Sequence, residues 1–152
     1  MEPLIHLDYP LDKALLLEEA IRAKASASAH KDPRYPDMNF DHWLISHHTS
    51  EYIQKIMDDF EIKGKPRFFW LEPFAVIPEH TDNGTTCSLN FLLNDDPAAI
   101  TINGKDYFYT SVLLNTTAPH SVTNNHTERL LFKISLFDES YEELAKRLKY
   151  KK

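Results

Sequence analysis

Apolar residues recur at helical spacing in three stretches of the chain and fall into short runs elsewhere. In residues 11–29, Ala14, Leu17, Ile21 and Ala25 share one helical face, and the pattern stops ahead of Pro33 and Pro36. A second helix is predicted from Ser50, with Ile53, Ile56, Met57 and Phe60 as its apolar stripe. A third is predicted after Asp138, where Ser140 and Glu143 stand at capping-box spacing and Tyr141, Leu144 and Leu148 form the buried side. The stretch 67–137 has another rhythm. Apolar or alternating runs at 68–77, 86–93, 100–102, 107–114 and 130–137 are separated by Asn83-Gly84, Asn94-Asp95-Asp96-Pro97 and Asn103-Gly104, the last a hairpin signal. Many short strands at close spacing predict a mainly β (α+β) sandwich or jelly roll, with helices covering its outer face. No repeat or low-complexity linker divides the sequence. A single domain over 1–152 is expected, with helical support in 1–66, a β core in 67–137 and a C-terminal helix in 138–152.

Composition narrows the function classes. Hydrophobic residues make up 42% and charged residues 26%, as in ordinary globular proteins. The net charge is −6, and the one basic run, 146–152, ends a predicted helix whose dipole it complements. Duplex nucleic acid, which requires clustered cations, is not an expected partner. A single cysteine, Cys87, excludes an intrachain disulfide and fits a reducing compartment. No apolar run reaches membrane-spanning length, and Met1-Glu2-Pro3 lacks the basic start and apolar stretch of a secretion signal. A cytoplasmic protein with no membrane partner is expected.

Candidate chemistry lies at His80-Thr81-Asp82. Residues two apart on an extended chain project to the same side, so one imidazole and one carboxylate can reach one ion. A second histidine from a distant strand would complete a two-His-one-carboxylate face, leaving the opposite side of the metal open. Three His-x-Asp triplets occur. His6-Leu7-Asp8 sits before a helix and His30-Lys31-Asp32 in a polar, proline-punctuated connection; both read as solvated surface. Only His80-Thr81-Asp82 follows a long apolar run and precedes a turn. His120, between the run ending near Asn115 and the final strand, is the candidate third ligand, while His126 and the pair His47-His48 read as surface. In the last strand Leu130, Phe132, Ile134 and Leu136 form one face and Arg129, Leu131, Lys133 and Ser135 the other. Facing outward, Arg129 would be a solvated cation. Facing the barrel it needs an anion, and its planar guanidinium matches a carboxylate of a dicarboxylic co-substrate.

His80-x-Asp82, His120 and Arg129 nine residues later, within a strand-rich 67–137, resemble the Fe(II)- and 2-oxoglutarate-dependent dioxygenase superfamily. Thr85-Thr86-Cys87-Ser88-Leu89, Gly104-Lys105 and Pro119-His120 are faintly similar to its aspartyl/asparaginyl β-hydroxylase branch. The resemblance covers about half the chain and implies a double-stranded β-helix, cupin-like, in which His80, Asp82 and His120 hold Fe(II). It further implies 2-oxoglutarate chelating the iron and pairing its distal carboxylate with Arg129, O2 at the remaining position, and release of succinate and CO2. A small molecule or a peptide side chain would be hydroxylated. Ser88 and Asn90 stand where that branch carries basic residues, which leaves the contacts to the C1 carboxylate open. Lys133 has no counterpart and either makes a second anion contact or leaves the barrel end. Trp70 shares the parity of His80 and either lines the pocket or is a core aromatic. Two alternatives stand beside this reading. His120-x-x-x-Asn124 also resembles a cupin motif, which would make the chain a non-oxidative metal enzyme or a small-ligand binding module. Against that, the first cupin motif requires His-x-His and a downstream Glu, and there is no Glu between Glu79 and Glu128. The other alternative is a metal-free interaction protein. Neither the substrate nor the oligomeric state is written in the sequence.

Overall fold

A computed structural model of the chain describes residues 2–29, 43–82, 84–95 and 98–150. Eleven strands are described: β1 (Leu4–His6), β2 (Ser28–Ala29), β3 (Trp43–His47), β4 (Lys65–Leu71), β5 (Val76–His80), β6 (Cys87–Leu92), β7 (Ile100–Ile102), β8 (Lys105–Tyr107), β9 (Ser111–Leu114), β10 (His120–Thr123) and β11 (Arg129–Leu136). The helices are α1 (Lys13–Ala23), α2 (Glu51–Phe60) and α3 (Tyr141–Tyr150). All pairings are antiparallel. They build a seven-stranded sheet in the order β1-β9-β6-β11-β4-β3-β2 and a four-stranded sheet in the order β5-β10-β7-β8. Ile100 and Ile102 of the small sheet pack with Leu4, Val112 and Leu114 of the large one, so the two sheets face each other across a core. The architecture is a double-stranded β-helix with helices on its outer face.

Strand parity sorts the large sheet into two surfaces. Phe68, Trp70, Leu89, Phe91, Leu130, Phe132 and Ile134 point outward and pack with Leu16 of α1, Ile53, Ile56 and Phe60 of α2, and Tyr141 and Leu144 of α3. Phe132 is fully buried, with Phe68 at 5.3 Å and Phe91 at 6.0 Å between ring centroids. The other parity faces the barrel, where cross-strand register forms rows. One row runs His47–Arg67–Lys133–Asn90 over β3, β4, β11 and β6. Ile45–Phe69–Leu131–Leu92 lies beside it, and Trp43–Leu71–Arg129 beyond. Gly64, ahead of β4, lies close to β11: a Cβ there would stand 2.6 Å from Ile134 Cγ2 and 2.8 Å from the Ser135 carbonyl oxygen.

Several sequence expectations change. The α1 stripe is Leu16, Glu19, Ala20 and Ala23, whereas Ala14 and Ala25 are exposed and Ile21 is 72% exposed. Apolar spacing misses this face because its middle is Glu19, buried against His48 Nε2 at 2.9 Å. His48 is accordingly a half-buried partner of Glu19 rather than a surface residue, while His47 and His126 are exposed. The run 68–77 is two strands in different sheets. Between them Phe74 adopts φ 59°, and the Asn124 amide donates to the carbonyls of Leu71, Glu72 and Thr127, pinning the turn. The run 107–114 likewise divides into β8 and β9, and His120 opens a strand of its own. Residues 1–66 add three strands to the large sheet, besides their helices. The predicted capping box, the start of the second helix and the hairpin turn hold. Ser50 accepts from the Ile53 amide, Ser140 from the Glu143 amide, and Asn103 and Gly104 take φ of 51° and 80° in the β7–β8 hairpin. His30-Lys31-Asp32 lies outside the described residues.

Candidate metal centre

The antiparallel pairing of β5 with β10 sets His80 directly opposite His120. Their ring centroids are 4.5 Å apart, and both residues are buried. Asp82 lies two residues past His80, where its amide donates to the Thr116 carbonyl. The neighbouring Thr85 and Thr116 hydroxyls bond at 2.8 Å and fix the same connection. Register thus brings together three side chains from positions 80, 82 and 120.

Their orientation is set by the backbone. His80 Nδ1 donates to the Pro78 carbonyl at 2.7 Å, and His120 Nδ1 to the Ala118 carbonyl at 2.8 Å. A carbonyl can only accept, so each Nδ1 carries its proton and each Nε2 is the coordinating nitrogen. Both Nε2 atoms converge on Asp82 Oδ1, at 3.4 Å from His80 and 3.2 Å from His120. One donor atom from each residue lies within 4.8 Å of the others. With neutral rings, three lone-pair donors point at one another, an arrangement that a cation resolves. Two imidazoles and a carboxylate fit Fe(II), whose open positions take further ligands.

Asp82 Oδ2 receives the Lys133 ammonium at 2.7 Å, which leaves Oδ1 to the histidines. Burial alone would push the Asp82 carboxyl up. The Lys133 charge, followed by the His120 and His80 rings, outweighs burial and holds it well below the usual carboxylate range. Asp82 is therefore ionised at any working pH, as a metal ligand must be.

Beside the triad lies a small cavity between the sheets, lined mainly by Trp43, Phe69, Leu71, Ile77, Tyr109 and Leu131, and in part by Asn90, Arg129 and Lys133. Arg129 faces this cavity rather than solvent and is 4% exposed. Its Nη1 donates to the Ala98 carbonyl at 3.0 Å, and its guanidinium stands 5.4 Å from the Tyr109 ring centroid. Lys133 also faces inward, four residues along the strand, about 13 Å away by strand rise. Ser88 is buried and donates to Asn90 Oδ1 at 2.7 Å, so Asn90 and not Ser88 reaches the cavity.

Trp70 does not line the pocket. It points to the helix side and packs with Phe68, ring centroids 6.2 Å apart. Parity counted from His80 fails because the turn after Leu71 resets it, and Phe69 and Leu71 occupy the pocket wall instead. Trp43 and Tyr109 were not anticipated. Trp43 sits on β3, within the residues expected to give helical support, and Tyr109 lies in a run that divides. His6 and Asp8 are exposed, as expected. Asn124, of the cupin-like pattern, serves the β4–β5 turn rather than the site.

Solved structures share this architecture. A Pseudomonas putida prolyl-4-hydroxylase superimposes with a TM-score of 0.69 at 16% identity, over 89% of this chain and 92% of that one. A Trichoplax adhaerens prolyl hydroxylase, in complex with a peptide fragment of the hypoxia inducible factor oxygen degradation domain, gives 0.68 at 16%, over 93% and 84%. The viral collagen prolyl hydroxylase of Paramecium Bursaria Chlorella virus-1, in a 2-oxoglutarate complex, gives 0.62 at 9%, over 88% and 94%. At such identities the likeness is one of fold. These three are prolyl hydroxylases, so the faint sequence likeness to the aspartyl/asparaginyl β-hydroxylase branch gains nothing from them. No family model matches the sequence, and no curated protein does. The chain thus has the double-stranded β-helix of 2-oxoglutarate oxygenases and, on its rim, a His-Asp-His group able to hold a metal.

Proposed function

We propose that this protein is an Fe(II)- and 2-oxoglutarate-dependent oxygenase that hydroxylates a small molecule or a peptide side chain, with release of succinate and CO2. The observation that carries the reading is the convergence of His80 Nε2, His120 Nε2 and Asp82 Oδ1, with both Nδ1 protons committed to backbone carbonyls. When bound, iron supplies the means to activate O2 with electrons from the co-substrate's decarboxylation. Arg129 receives the distal carboxylate of 2-oxoglutarate through parallel charge-assisted hydrogen bonds. Its place four residues from Lys133, with Leu131 between them, suits a dianion held at both ends along an apolar wall. Lys133 orients Asp82 and adds positive charge near the metal-proximal carboxylate. The Ser88 hydroxyl occupies Asn90 Oδ1 and leaves Asn90 Nδ2 as a donor for that carboxylate. Trp43, Phe69 and Tyr109 keep the cavity walls apolar, which excludes bulk water from the reacting groups. The Trichoplax neighbour's peptide complex supports a peptide side chain as one class of substrate. The described residues contain no helix long and apolar enough to cross a membrane.

The test is an anaerobic titration of the Fe(II)-loaded protein with 2-oxoglutarate. Expected are a visible charge-transfer band and, on admission of oxygen, succinate. Arg129→Ala should weaken co-substrate binding by about tenfold or more, for loss of a charge-assisted pair, while metal binding stays intact. A spectrum that 2-oxoglutarate leaves unchanged would favour a non-oxidative, cupin-like metal protein.

A further inference from the structure

The inner face of the large sheet carries a cation for which the metal and co-substrate have no use. Arg67 on β4 lies between His47 and Lys133 in the row that faces the metal group. Its guanidinium carbon stands 5.1 Å from the Phe69 ring centroid, and the Lys133 ammonium stands 5.5 Å from the same centroid. One ring is therefore flanked by two cations. Lys133 is matched by Asp82 at 2.7 Å. Arg67 has no such match: Nη2 donates to the Ser135 hydroxyl at 2.8 Å, Nε is buried without an acceptor, and no carboxylate comes within ion-pair distance among the described residues. Burial lowers the Arg67 pKa, and the charge of Asp82 opposes this.

The described surroundings do not supply the missing anion. His47 and Lys65 flank Arg67 on the same inner face and are exposed, and among the described residues neither is paired with an acid. Burial first, then the charges of Arg67 and Lys65, make His47 harder to protonate. A cationic rim in a chain of net charge −6 is a local choice rather than a composition effect. Arg67 is half-buried, and its one enclosed donor, Nε, is costly to leave unmet unless an anion completes it. A purely structural arginine on this strand would be served as well by an acid in register, and among the described residues there is none.

We propose that Arg67 recognises the substrate to be oxidised, which carries a carboxylate or phosphate group seated on this guanidinium, beside Lys133 and next to the cavity rather than within it. The assignment rests on the oxygenase reading for the word substrate, but the anion site stands on Arg67 itself. With a divalent metal and a dianionic co-substrate in place, Asp82, Lys133 and Arg129 leave the neighbouring cavity net positive, and Arg67 adds to this from beside it. An anionic substrate is attracted there, and a cationic one is repelled.

Arginine Nε–H resonances separate the two ideas in the Zn(II)-loaded full chain, with the signals of Arg67 and Arg129 assigned from Arg67→Gln and Arg129→Gln. 2-Oxoglutarate should move the Arg129 signal; failure there would count against the co-substrate reading alone. With 2-oxoglutarate saturating, acetate or inorganic phosphate should move the Arg67 signal saturably, and neutral acetamide should not. Stronger binding of acetate would indicate a carboxylate substrate, and stronger binding of phosphate a phosphate ester. Saturation-transfer titration of the better anion should show about a tenfold weaker affinity in Arg67→Gln and partial rescue in Arg67→Lys, the scale of one lost charge-assisted hydrogen bond. The proposal is overturned if neither anion moves the Arg67 signal more than acetamide does, if only the Arg129 signal responds, or if Arg67→Gln binds the anion as the native protein does.

Discussion

Replacing Lys133 by Met isolates the contribution of the one cation that meets Asp82. The pair is 2.7 Å apart, with side chains only 7% and 12% exposed. In metal-free protein the substitution leaves a largely buried carboxylate facing two imidazole Nε2 atoms with no ammonium. Breaking a buried pair on one side costs about 3–5 kcal/mol. For a chain of this length each kcal/mol corresponds to roughly 2–4 °C in Tm, so a loss of roughly 6–20 °C is expected. Calorimetry at pH 8 with a chelator present is the assay. Combining Lys133→Met with Asp82→Asn removes both charges and should recover most of the loss. Added Mn(II) should stabilise the single variant more than the native protein, since a dication restores the lost charge balance. A Tm within 2 °C of native for Lys133→Met, or a double variant no better than the single, would refute the reasoning.

Other consequences are reachable by simple measurements. Gly64→Ala sets a Cβ against the Ser135 carbonyl, which cannot move aside as a flexible side chain could, and should cost about 1–3 kcal/mol by urea denaturation. Phe132→Ala removes the ring shared by Phe68 and Phe91 and should cost about 3–5 kcal/mol on the same scale. Burial pushes the Cys87 thiol from its ordinary 9.0 up to about 11. The folded state thus holds this proton more tightly than the unfolded state, so stability falls as pH rises from 9 to 11. Cys87 contributes about 2–3 kcal/mol over that window, a contribution that Cys87→Ala removes, while the Tyr9 and Tyr141 hydroxyls, also raised by burial, leave a slope of the same sign.

What the sequence disclosed depended on whether a signal was local. Ser140 and Asn103-Gly104 announce a cap and a turn through side chains and φ preferences that act within a few residues. The alternation of β11 was legible because both of its faces are buried and Arg129 and Lys133 mark one of them. The pairing of His80 with His120 is a matter of register between strands forty residues apart, and only the choice of residue types hinted at it. Of the two places open to Trp70 the core is the one it takes, because parity does not survive the turn at Phe74. The α1 face was misread because its central buried residue is Glu19, whose partner His48 is distant in sequence. Strands β1, β2 and β3 are short and gain their stability from sheet neighbours rather than from their own pattern.

The most direct measurement is divalent metal binding by isothermal titration, with Mn(II) as an air-stable probe, in the native chain and in His80→Ala, Asp82→Ala and His120→Ala. One ion per chain in the native protein is expected, with binding weakened at least a hundredfold in each variant and unchanged in His126→Ala, an exposed histidine outside the group. Native-like binding in His120→Ala would mean that the three side chains do not share an ion, and the oxygenase reading would go with it.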